Sequence, residues 1–143
     1  MLVSQVLKAK GDLVFTASPR DSVDAVAAML NTRRVGAVVV VDGERDVVGI
    51  VSERDIVRIV AEQGAVGLSK PVDDCMTRDV VFAMPSETVD AILARMTDRR
   101  IRHLPVCVDN RLAGIVSIGD LVKAKIAETE AEAEGLRAYI AAA

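Results

Sequence analysis

Tryptophan is absent from this 143-residue chain, tyrosine occurs once and phenylalanine twice. So few aromatic faces exclude a surface built to stack single-stranded bases. Basic residues are also in deficit, 18 Lys and Arg against 21 Asp and Glu, a net charge of −3 with a pI near 5.2. That is the wrong sign for a phosphate-backbone binder, and nucleic acid is not expected as a partner. Histidine occurs once, His103, and cysteine twice, Cys75 and Cys107, without CxxC spacing. This excludes a zinc site, a disulfide framework and a histidine-based triad, and both thiols are expected to be packed. No apolar run approaches the roughly 20 residues that cross a bilayer. Met1 to Gln5 lack the basic start and long apolar stretch of a secretory signal. A soluble, cytoplasmic protein without membrane association is the expectation.

What is present is aliphatic. Apolar residues make up 51% of the chain, most of them Val, Ile, Leu and Ala, a composition that suits buried strands packed under helices. The chain also repeats itself. Gly49-Ile50-Val51-Ser52 recurs as Gly114-Ile115-Val116-Ser117, each followed at the same distance by Asp, at Asp55 and Asp120. Pro19 matches Pro85, Val23-Asp24-Ala25 matches Val89-Asp90-Ala91, and Arg33-Arg34-Val35 matches Arg99-Arg100-Ile101. The blocks keep their order, and the length differences fall around Lys8 to Asp12 and at Asp42-Gly43 versus Asp109-Asn110. Two copies of one unit follow.

Each copy predicts β-α-β-β-α. A short strand (Leu13 to Thr16; Val80 to Phe82) leads through Pro to a helix. Its apolar face carries Val23, Val26, Ala27 and Leu30, or Val89, Ile92, Leu93 and Met96, at i, i+3, i+4 and i+7. Two β-branched runs follow, Ala37 to Val41 and Val47 to Val51, or Leu104 to Val108 and Leu112 to Val116. A final helix opens at Ser52 or Ser117. A unit of roughly 60 residues buries too little surface to be stable alone, so the copies are expected to dock sheet to sheet in an α/β fold, with a ligand cleft at the seam. The expected division is a first repeat over 1–65, a second over 66–122 and a helical extension over 123–143. In that extension Val122, Ile126, Thr129, Ala133, Leu136 and Ile140 form a weak heptad seam, interrupted by Gly135. It reads equally as a partner helix or as a tail lying on its own domain.

Gly-Ile-Val-Ser-x-x-Asp has two compatible readings. Ser with Asp three residues later is a capping box, in which the two side chains satisfy free backbone donors of the helix start. A strand that ends in Gly and turns into a helix also presents free N–H groups and a positive dipole end to an anion such as phosphate. The Asp, one turn in, is placed to accept two hydrogen bonds from a ribose diol.

These residues, with Arg100-Ile101-Arg102-His103-Leu104-Pro105-Val106, closely resemble CBS domains, over roughly Val3 to Val122. The resemblance implies a pseudo-symmetric pair that binds adenosyl ligands (AMP, ADP, ATP, NAD or S-adenosylmethionine) in up to two crossed clefts, and an association into homodimers. By position, one cleft would combine Ser117 and Asp120 with Thr16, Val35, Gly36 and Ala37. The other would combine Ser52 and Asp55 with Ile101, Arg102 and His103, with Arg54 and Arg58 adding charge. Phe82, where the family often has Thr, would fill the adenine pocket of the Asp55 cleft or stack on the base. Arg33, Arg34, Arg99 and Arg100 also read as solvated helix-end cations, and His103 reads equally as packed or as a phosphate contact.

No nucleophile, tuned base or metal cluster is visible, so catalysis and a catalytic cofactor are not expected. The leading function is a regulatory adenine-nucleotide sensor acting on a protein target. The alternative is a ligand-free interaction module that docks through its helices.

Overall fold

The computed structural model describes residues 1–11, 13–43 and 46–142. Twelve elements follow one another: α1 (Val3–Lys10), β1 (Thr16–Ala17), α2 (Val23–Arg33), β2 (Ala37–Asp42), β3 (Asp46–Ser52), α3 (Glu53–Gln63), two 3-10 turns (Gly64–Ser69 and Val72–Asp74), α4 (Val89–Arg99), β4 (His103–Val108), β5 (Arg111–Ser117) and α5 (Ile118–Ala142). The loop expected around Lys8 to Asp12 is helix as far as Lys10, and Asp12 lies outside the described residues.

The repeat is visible in local chemistry. Ser22 and Thr88 cap α2 and α4 by accepting from the N–H groups of Ala25 and Ala91, at 3.0 and 3.1 Å. Both helices end on a left-handed arginine, Arg34 and Arg100, each at φ 54° and ψ 44°. This conformation lets the next residue bond back into the last turn, Val35 to Leu30 and Ile101 to Met96. Each hairpin, β2–β3 and β4–β5, is antiparallel and shifts register at the matching place, between Val40 and Val41 and between Val106 and Cys107. Among the described residues the hairpins join through one residue pair, Asp46 with Arg111, into a five-stranded sheet of order β1-β2-β3-β5-β4.

The first strand of each unit is shorter than its apolar run suggests. β1 pairs only Thr16 and Ala17 with Val39 and Val40, and its counterpart is a single parallel bridge from Ala83 to Val106. The strand expected over Val80 to Phe82 does not form. β4 has Pro105, which lacks an N–H, where β2 has Val39, so the ladder stops at the Ala83 bridge, and the Phe82 carbonyl accepts from the Arg95 guanidinium at 2.8 Å.

Packing crosses the 65/66 division. Val3 and Val6 of α1 lie in one core with Val89, Ile92, Met96, Leu104, Val106, Val116 and Leu121 of the second repeat. Val72 and Met76 lie in the other core with Val23, Val26, Leu30, Val38, Val40 and Val51 of the first. Backbone bonds hold each crossing: Val3 N–H to Glu87 and Val89 N–H to Met1, Val72 N–H to Asp21 and Val23 N–H to Lys70, all at 2.8–2.9 Å. A glycine admits each crossing segment. A Cβ on Gly114 would sit 2.7 Å from Leu7 Cδ2; one on Gly49 would sit 2.5 Å from Met76 Sδ and 3.1 Å from the Thr77 carbonyl. Gly49→Ala is expected to cost about 1–3 kcal/mol in urea unfolding. It should exceed Gly114→Ala, because Leu7 is free to change rotamer and the Thr77 backbone is not. Equal stability of Gly49→Ala and wild type would contradict this packing.

α5 starts on the body and continues past it. Leu121 is buried, whereas Val122, Ile126, Leu136, Tyr139 and Ile140 are exposed, so the heptad seam has no partner among the described residues of this chain. No helix among the described residues is long and apolar enough to cross a membrane.

Candidate functional site

Both Gly-Ile-Val-Ser runs end a strand and open a helix, and the two junctions converge on one cleft of about 440 Å³. From the first repeat come Gly36, Ile50, Ser52, Glu53, Arg54, Asp55 and Arg58; Thr77 follows from the connecting segment; from the second come Arg100 to His103 and Ser117 to Gly119. Ser52, Arg54, Asp55, Ile101, Arg102 and His103 are thus in one place, and Gly36 and Ser117, expected in the other cleft, line it too.

Asp55 is the one buried charged residue among those described, 3% exposed. Its Oδ2 accepts from the Ser52 N–H at 2.9 Å and the Ser52 hydroxyl at 3.1 Å, which closes the capping box of α3. Its Oδ1 accepts from Arg58 at 3.1 Å and Thr77 Oγ1 at 3.3 Å. One oxygen therefore serves the fold. The other carries two side-chain bonds, at 3.1 and 3.3 Å, to groups that line the cleft, and these are exchangeable for the hydroxyls of a ligand. Arg54, Arg58, Arg100 and Arg102 are exposed, and among the described residues Arg54, Arg100 and Arg102 form no ion pair. Four guanidiniums thus face two carboxylates, Glu53 and Asp55, beside the positive end of α3. Ile50, Ile101 and Ile118 supply apolar wall.

His103 stands against Gly36, where a Cβ would lie 2.9 Å from the imidazole Cε1 and Nε2. Burial pushes the imidazole below its ordinary value; Arg102 and Lys10 push the same way, and Glu53 and Asp120 oppose them. Its folded value is lowered, so the stability it contributes is complete above the unfolded value near 6.5 and is lost as pH falls from there through the lower folded value.

Four residues expected in the other cleft, and Phe82, expected in this one, lie outside it. Thr16 lines a separate crevice with Phe15, Met29 and Arg33, because β1 pairs it with Val39, two positions beyond the Ala37 end of β2. Val35 borders a groove between α2 and α3, and the Ala37 side chain is buried in the sheet. Asp120 repeats the capping geometry, accepting from the Ser117 N–H at 2.9 Å, but its Oδ2 also holds Lys10 Nζ at 2.7 Å. Phe82 is not in the Asp55 cleft. It lines another crevice, with Val47, Met84 and Cys107. Arg33 is an exposed cation in the last turn of α2, as expected, and also lies over the Phe15 ring at 4.8 Å, a cation–π contact. Sequence reasoning missed Thr77, which has no counterpart in the repeat alignment, and the isoleucines Ile50 and Ile118, to which it gave no site role.

Burial pushes both thiols up, Cys75 and Cys107, with Asp55 and Asp74 adding to the effect at Cys75. Neither is therefore a ready nucleophile. Among the described residues no three His, Cys, Asp or Glu side chains gather as metal ligands.

The CBS domain model matches residues 11–62 and 72–127. The mitochondrial CBS domain-containing protein CBSX3 of Arabidopsis thaliana is 40% identical over 96% of this chain and 71% of its own length. A crystal structure of a CBS-domain protein from Agrobacterium tumefaciens is 44% identical, with a TM-score of 0.85 over 87% of this chain and 99% of that one. Two more distant CBS structures carry ligands. A domain pair 27% identical to this chain holds 5′-methylthioadenosine and S-adenosyl-L-methionine (TM-score 0.80, 90% of this chain and 98% of that one). A Pyrobaculum aerophilum protein 28% identical holds AMP (TM-score 0.74, 84% and 89%). With two CBS matches over most of its length, on the fold those structures share, the chain belongs to the CBS-domain family.

Proposed function

We propose that this protein is a regulatory module that binds an adenine nucleotide in the Asp55 cleft and catalyses no reaction on it. The observation that carries the reading is a buried carboxylate turned toward a cleft ringed by four guanidiniums. Asp55 Oδ1 suits a ribose diol, the isoleucines suit the faces of a base, and Arg54, Arg58, Arg100 and Arg102 suit phosphates. The surplus of positive charge favours AMP, ADP, ATP or NAD over the cationic S-adenosylmethionine. The AMP and adenosyl complexes of the two relatives support the adenosine half of this reading.

Binding regulates only if it discriminates between two arrangements. The exposed Val57 and Val60 of α3, with Val122 and Ile126 of α5, suit a homodimer or a protein target as the element that shifts. Those same helices favour the second reading, an interaction module without ligand.

A thermal-shift screen with AMP, ADP, ATP, NAD, S-adenosylmethionine and GTP decides between them. A ligand at 100 times its Kd stabilises by about 2.7 kcal/mol, a midpoint rise of roughly a few degrees. The rise is expected with adenine nucleotides and absent in Asp55→Ala. No rise with any of them at millimolar concentration would leave the ligand-free module standing.

The pH dependence has a definite sign. Bound phosphates favour the imidazolium form of His103, whose folded value is lowered in the free protein. ATP affinity should therefore strengthen from about pH 8 to about pH 6, beyond the change seen in His103→Gln. Identical pH slopes in the two proteins would remove His103 from the phosphate site.

A further inference from the structure

The two repeats deliver equivalent residues to equivalent places, so each position in one has a counterpart in the other. Ala37 pairs with Ser52 as His103 pairs with Ser117. The Glu53 N–H bonds the Gly36 carbonyl at 3.0 Å as the Ile118 N–H bonds the Arg102 carbonyl at 2.8 Å. Arg102 thus corresponds to Gly36, His103 to Ala37 and Arg54 to Gly119. The crossing segments correspond too. Leu2 bridges Thr88 as Pro71 bridges Ser22, and Leu7 lies on Gly114 as Met76 lies on Gly49. α1 approaches Asp120 along the route by which residues 71–77 approach Asp55.

What the routes deliver differs. The connecting segment brings Asp55 a neutral hydroxyl, Thr77 Oγ1. α1 brings Asp120 an ammonium: Lys10 Nζ donates to Asp120 Oδ2 at 2.7 Å and to the Ile115 carbonyl at 2.8 Å. Burial pushes the Asp120 carboxyl up, but Lys10 and the Ser117 N–H outweigh it and hold it below the usual carboxylate range. Lys10 is itself anchored, because Val3 and Val6 are in the second core and the Met1 ammonium meets Glu128 at 2.7 Å.

Resting on the nucleotide-binding reading above, we infer that Lys10 is a built-in occupant of Asp120 that restricts this protein to one nucleotide per chain, held at Asp55. At Asp55 a ribose diol displaces a hydroxyl and Arg58 from Oδ1, whereas at Asp120 Lys10 and the Ser117 N–H both sit on Oδ2, so a diol that uses both carboxylate oxygens has to displace the ammonium. The charge is unequal between the repeats as well, since the counterparts of Arg54, Arg102 and His103 are Gly119, Gly36 and Ala37.

Calorimetric titration with ATP and with adenosine tests this in wild type, Asp120→Asn, Lys10→Ala and the double variant. Wild type should bind one ATP per chain, with affinity changed by less than about twofold in Asp120→Asn. Lys10→Ala should gain a second equivalent of adenosine, lost again in the double variant. Two equivalents in wild type would overturn the inference, as would no gain in Lys10→Ala. ATP affinity roughly tenfold weaker in Lys10→Ala would also overturn it, by making Lys10 a ligand contact. A carbon-13 titration of the Asp120 carboxyl reads the tie without ligand: its midpoint should rise in Lys10→Ala, and an unchanged midpoint removes the occupant. If no variant binds ATP or adenosine, the nucleotide reading fails and the one-site consequence with it, while the carboxyl midpoint still decides whether Lys10 holds Asp120.

Discussion

Val3→Asp is expected to lower the unfolding free energy by about 4 kcal/mol or more, and Val3→Ala by about 2 kcal/mol. Val3 is fully buried although it is the third residue of the chain, packed in a cluster with Met96, Leu104 and Leu121. The alanine change removes two methyl groups and leaves part of their space unfilled. The aspartate change puts a carboxylate into this apolar cluster. Against a total stability of about 5–15 kcal/mol, the second loss would leave a measurable unfolded fraction. Val72→Asp should behave alike through the first core, since Val72 is the counterpart of Val3 and is equally buried. Urea unfolding measures both. A loss below about 1 kcal/mol for Val3→Asp would mean that α1 does not pack on the second repeat.

The second large effect is on ligand charge. Arg102→Ala should weaken ATP binding by about 10- to 100-fold, because a charge-assisted hydrogen bond to phosphate contributes about 1.5–3 kcal/mol. Adenosine affinity should change little, and the gap between the two ligands should narrow as salt is raised, since Arg102 is exposed and screened. Arg54→Ala should act in the same direction, at the opening of α3. Equal losses for ATP and adenosine would place these arginines on the nucleoside or on the fold, and not on phosphate.

Much of the fold was legible because the chain states it twice. The matched Ser-x-x-Asp runs, the β-branched hairpin strands and the i, i+3, i+4, i+7 helix faces all have local causes, and the structure has each of them. The crossing of α1 was not legible. The first repeat is expected from residue 1, but Val3, Val6 and Leu7 resemble Val72, Cys75 and Met76 only in apolar spacing, so nothing local shows that they pack on the second repeat. Lys10 was lost for the same reason, read as loop when it closes a helix directed at Asp120. At the cleft, Ser52, Asp55 and Ile101 to His103 come together because strand ends and helix starts have characteristic neighbours. Thr16 goes elsewhere because β1 is two residues long, a length its apolar run does not show.

Amide chemical-shift mapping with ATP tests the central claim most directly. Saturable shifts are expected at Ser52 to Arg58, Thr77 and Arg100 to His103, the residues around the buried Asp55 carboxylate. They should be absent in Asp55→Ala that retains its fold. Shifts confined to other surfaces, or no saturable shift at millimolar ATP, would contradict a nucleotide site in this cleft.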